Sequence, residues 1–79
     1  MNGYVATFYT HLSAITSKRA LDKVISGAAL APVPRKLSSS CGTCLIYEAN
    51  EPLLNLLDED VEGVYLVNGD GYIKLLERE

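Results

Sequence analysis

The residues best suited to chemistry stand together in Ser38-Ser39-Ser40-Cys41-Gly42-Thr43-Cys44, two thiols three residues apart at the end of a serine run. A cysteine acts as a nucleophile through its thiolate, and hydrogen-bond donors or positive charge nearby favour that form. Ser38, Ser39 and Ser40 each offer a hydroxyl donor. Gly42 permits a backbone bend that can turn amides toward the sulfur. Arg35 and Lys36 stand close in sequence. Cys41 is therefore the candidate nucleophile. Cys44 is near enough to resolve a mixed disulfide or a persulfide formed on it. A plainer reading stands beside this one, because a serine-rich turn is also an ordinary connector.

Other uses of the pair fit less well. Zinc needs four ligands in a closed site. The chain holds two cysteines and one histidine, His11, and no second Cys-x-x-Cys is present, so no metal or other cofactor is expected. In a thioredoxin-like motif the first cysteine sits at a helix N-terminus. Here the pair runs into Leu45-Ile46-Tyr47, which reads as strand. His11 could act as a base, although a histidine at a helix start is more often solvated. Asn68-Gly69-Asp70-Gly71 lacks a phosphate-binding or calcium-loop pattern and reads as a hairpin turn. Tyr4, Tyr9, Tyr47, Tyr65 and Tyr72 fall on expected strands and suit sheet packing better than base stacking.

The elements that must position the loop can be read from pattern. Residues 3–9 read as a strand rich in β formers. Thr10 can cap a helix over 11–26, with Ala14, Leu21, Val24 and Ile25 on one side and Gly27 as its stop. Residues 28–33 are a short second strand, placed at an edge by Pro32 and Pro34. Residues 34–43 form a loop, and 44–48 a third strand with Leu45 and Tyr47 on one face and Ile46 on the other. A second helix begins after Asn50 or Glu51, with Pro52 in its first turn and Leu53, Leu54, Leu56 and Leu57 packing it down. It ends at Asp58-Glu59-Asp60, where the helix dipole disfavours negative charge. Residues 61–67 and 72–76 are strands joined by the hairpin turn. The order gives an α+β fold, a ferredoxin-like βαββαβ sandwich with an extra C-terminal strand.

With 79 residues the chain is one domain, 1–79. No apolar run approaches the roughly 20 residues that span a bilayer, so no membrane partner is expected. Met1-Asn2-Gly3-Tyr4 lacks the basic flank and apolar stretch of a signal peptide, and the expectation is a cytoplasmic protein with reduced thiols. Up to Lys36 the chain carries +4, and beyond Cys41 it carries −7, for a net −3. An acidic chain argues against nucleic-acid binding, while its basic half could still hold an anion locally.

The stretch Pro32-Val33-Pro34-Arg35-Lys36-Leu37-Ser38-Ser39-Ser40-Cys41-Gly42 resembles the putative selenium/sulfur carrier-like family of short bacterial proteins. Tyr4-Val5-Ala6-Thr7-Phe8 with Thr10-His11 is similar to the family's start, and Val61-Glu62-Gly63-Val64-Tyr65 to its closing strand. The resemblance implies that Cys41 carries sulfur or selenium as a persulfide or selenopersulfide between a donor and an acceptor protein. Arg35 and Lys36 would then hold the anion, and Cys44, a departure from the family pattern, would aid release. The alternative is an interaction or regulatory module, such as a homodimer joined by sheet edges, with structural or metal-binding cysteines.

Overall fold

A computed structural model of the protein describes residues 1–77. Among them, five strands and one α-helix form an α+β unit. The strands are β1 (Asn2–Phe8), β2 (Ala29–Pro32), β3 (Thr43–Ala49), β4 (Val61–Asn68) and β5 (Gly71–Glu77), and the helix α1 is His11–Asp22. They make one antiparallel sheet in the order β2-β3-β1-β4-β5. The extra C-terminal strand is present as β5, joined to β4 by the turn at Asn68–Gly71.

β1 is the central strand, and its run Tyr4-Val5-Ala6-Thr7-Phe8 is buried on both faces. Its registers, Tyr4 opposite Tyr47 and Ala6 opposite Leu45 and Val64, line up one face of the sheet. That face forms the main core with Ala14 and Leu21 of α1. The rings of Tyr4 and Tyr47 stack with centroids 5.4 Å apart. The other face holds Val5, Thr7 and Cys44, because alternate residues of a strand point to opposite sides. On this second face Lys36 and Leu37 meet Tyr65, Tyr72 and Lys74 around an open cavity of about 310 Å³.

α1 starts as expected. Thr10 is extended, and its hydroxyl accepts from the Ser13 amide at 3.1 Å. The helix stops at Asp22, earlier than the expected residue 26. The amides of Val24 and Ile25 both turn back to the Leu21 carbonyl, at 2.9 and 2.8 Å. These adjacent β-branched residues are weak helix formers. Val24 is exposed and only Ile25 reaches the core. The buried face of α1 is instead Ser13, Ala14, Ser17 and Leu21.

The expected second helix does not form, so the ferredoxin-like βαββαβ sandwich is not reached. A single 3-10 turn, Leu54–Leu56, stands in its place. Pro52 and the acids from Asp58 leave too few residues for a stable α-helix, and Leu53 takes a left-handed backbone, φ 54°. Leu53, Leu56 and Leu57 still pack on the core, while Leu54 stays exposed. Two serines of α1 hold the end of this segment. Ser13 Oγ donates to Asp58 Oδ2, and Ser17 Oγ accepts from the Asp58 amide, both at 2.8 Å.

Candidate functional site

The loop between β2 and β3 carries the cysteines. Pro34 to Leu37 is a turn, closed by the Leu37 amide on the Pro34 carbonyl at 3.0 Å. Arg35 and Lys36 occupy the centre of that turn and are exposed. The Lys36 amine donates to the Asp70 carbonyl in the β4–β5 turn, which holds the front of the loop over the second face. The side chains of Arg35 and Ser38 make no hydrogen bond or ion pair among the described residues.

The two serines before Cys41 are anchored to neighbouring strands. Ser39 Oγ donates to the Phe8 carbonyl at 3.0 Å and lies 3.8 Å from Cys41 Sγ. Ser40 donates twice to Glu62, its amide to Oε1 at 3.0 Å and its hydroxyl to Oε2 at 3.1 Å. Phe8 and Val61 are paired across β1 and β4, so both anchors lie at the same end of the sheet. After Cys41, Gly42 takes φ 74°, and its carbonyl accepts from the Val33 amide at 3.2 Å. That bond extends the β2–β3 ladder by one residue and leads the chain into Thr43.

Cys41 is half-buried and packs against the main core. Its thiol donates to the Thr43 carbonyl at 3.5 Å. The same residue meets His11, whose Nδ1 lies 3.2 Å from Thr43 Oγ1. His11 is thus brought to the loop's end of the fold through Thr43.

Cys44 is different. It sits within β3, has no exposed surface, and its thiol donates to the Pro32 carbonyl at 3.6 Å. Burial pushes its pKa above the ordinary 9.0, and the charge of the neighbouring Cys41 sulfur adds to this. A thiol so placed is a poor nucleophile in this arrangement. The two sulfurs are not bridged.

Of the residues singled out by sequence, the structure therefore brings Ser39, Ser40, Cys41 and Gly42 into one anchored turn. It directs Lys36 to Asp70 and leaves Arg35 and Ser38 in solvent. Sequence reasoning missed Glu62 and Thr43. The acidic balance of the second half is the one sequence signal that could have suggested a partner for the loop there. Among the described residues, no group of three or more His, Cys, Asp or Glu side chains is assembled to hold a metal ion. None of their helices is long and apolar enough to cross a membrane.

Fold and loop together define a small α+β protein with one half-buried thiol in an anchored turn and a second thiol buried in the sheet. Residues 3–63 match the family described as "Putative Se/S carrier protein-like", and the chain belongs to that family. No curated protein and no solved structure matches it.

Proposed function

We propose that the protein carries a sulfane sulfur or selenium atom on Cys41. The observation that supports this is the unbridged, half-buried Cys41 thiol, set between the Ser39 and Ser40 anchors and Gly42, in a chain of this family. The Cys41 thiolate attacks the terminal chalcogen of a donor protein's persulfide or selenopersulfide. The donor's S–S or S–Se bond breaks, the donor sulfur leaves as thiolate, and Cys41 holds the transferred atom. No external oxidant is consumed, because one chalcogen bond replaces another. An acceptor thiolate removes the atom by the same exchange. Arg35, free of other partners among the described residues, supplies positive charge for the bound anion, and Lys36 can join it by leaving the Asp70 carbonyl. Cys44 can resolve the loaded Cys41 only when the loop lifts, since its sulfur is sealed inside the sheet.

The test is intact-mass measurement after incubation with a cysteine desulfurase supplied with cysteine or selenocysteine. The expected result is an increment of one sulfur or selenium atom that disappears on reduction and is absent in Cys41→Ser. No increment, or one that persists in Cys41→Ser, would sink the reading. Loading in Cys44→Ala is expected to persist and to be discharged more slowly.

A further inference from the structure

We infer that Glu62 is a positioning residue for Cys41. Both oxygens of its carboxylate are engaged by one residue, Ser40, through the backbone amide at 3.0 Å and the hydroxyl at 3.1 Å. Ser40 immediately precedes the thiol and lies 22 positions from Glu62 in sequence. Glu62 is the second residue of β4, and its neighbour Val61 pairs with Phe8, the residue whose carbonyl holds Ser39. Two consecutive serines are thus fixed to two adjacent strands at one level of the sheet. On the other side of Cys41, the Gly42 carbonyl is fixed to Val33. Cys41 is held between these two attachments.

The chemistry of the clamp is specific. Hydrogen bonds to a carboxylate are stronger than neutral ones, and the two here constrain both the position and the rotation of the Ser40 unit. Both bonds act on the residue next to the thiol, so they fix where the turn, and with it the sulfur, sits. Glutamine at 62 can keep both bonds: its carbonyl accepts from the Ser40 amide, and its amide donates to the Ser40 hydroxyl. Alanine can keep neither. Position and charge can thus be separated.

The inference concerns loop geometry, and only its consequence for transfer rests on the carrier reading. Three measurements are made on the full chain as wild type, Glu62→Gln and Glu62→Ala. Amide hydrogen exchange at Ser40 is expected to be slow in wild type and Glu62→Gln and to accelerate about tenfold or more in Glu62→Ala. Alkylation of Cys41 by iodoacetamide is expected to rise by a similar factor in Glu62→Ala alone, as the freed loop releases the thiol from the Thr43 carbonyl. Loading from the desulfurase is expected to fall at least about tenfold in Glu62→Ala and to be restored in Glu62→Gln.

Unchanged Ser40 exchange and alkylation in Glu62→Ala would overturn the inference. So would a Glu62→Gln variant that behaves as Glu62→Ala, since the charge alone would then be responsible. If wild type accepts no chalcogen while exchange and alkylation respond as expected, the carrier reading fails and the clamp stands. If Glu62→Ala does not fold, Ser40→Ala, which removes the hydroxyl and keeps the amide, is expected to raise the alkylation rate above that of wild type. A wild-type rate there overturns the inference.

Discussion

The Ser13 hydroxyl and the Asp58 carboxylate meet at 2.8 Å, so the buried face of α1 grips the segment that precedes β4. Ser17, one turn further along, accepts from the Asp58 amide. Two polar side chains on a packing face would be costly if unpaired, and here one aspartate satisfies both. Ser17→Ala should leave the Asp58 amide without its partner and cost roughly 1–3 kcal/mol. Ser13→Ala should cost less, because water can reach part of the carboxylate. Urea denaturation of both variants checks this; equal and negligible losses would show that α1 does not hold the segment.

The two thiols should differ sharply toward small reagents. In the native protein, iodoacetamide should modify Cys41 and spare Cys44, which has no exposed surface. In denaturant both should react. Peptide mapping after a short exposure gives the answer, and native modification of Cys44 ahead of Cys41 would contradict its placement within β3.

Stability should depend on alkaline pH. Burial raises the Cys44 pKa from 9.0, with Cys41 adding to the effect. Burial also raises Tyr47 from 10.0, with Tyr4 adding. In both cases the folded chain keeps a proton that the unfolded chain releases. The contribution is fully present below the unfolded values and is lost as pH climbs past 9.0 toward the folded ones. The urea midpoint should be level through neutrality and decline above pH 9.0. Tyr47→Phe should lower the midpoint at neutral pH, since the Tyr47 hydroxyl donates to the Pro52 carbonyl at 2.7 Å, yet make the alkaline decline shallower. A decline of unchanged steepness would argue against the tyrosine's share.

Apolar truncations should separate α1 from the residues just beyond its C-terminus. Leu21 is fully buried, and Leu21→Ala should cost about 2–5 kcal/mol. Ile25 lies past the helix and is only partly buried, so Ile25→Ala should cost less. Equal losses would mean that Ile25 is as deeply packed as Leu21.

Much of this architecture was legible in the chain. β formers, the Thr10 cap and the Asn68–Gly71 turn each act over a few residues, so their effects can be read locally. The end of α1 was not, because Val24 and Ile25 continue an apolar spacing that suits a helix, while their backbone amides turn back to Leu21. The leucines from Leu53 to Leu57 misled for a related reason. They are apolar enough to pack, but the span between Pro52 and Asp58 is too short to offset the cost of helix nucleation. At the site, residue types alone pointed to Cys41. The same alternation that separated Leu45 and Tyr47 from Ile46 places Cys44 on the second face. Its complete burial there depends on how the chain folds over that face, which no local pattern records. Glu62 was invisible because its bond to Ser40 exists only once β4 lies beside β1.

Gly42 shows what kind of constraint surrounds the thiol. Its φ is 74°, yet a Cβ added there would meet no atom within 4 Å beyond its two neighbours in the chain. Space is available, and only the handedness of the backbone is restrictive. Gly42→Ala would therefore report torsional energy almost free of steric interference, on the order of 1 kcal/mol. The residue after Cys41 is a place where main-chain geometry beside the sulfur can be tuned without disturbing the packing beneath it.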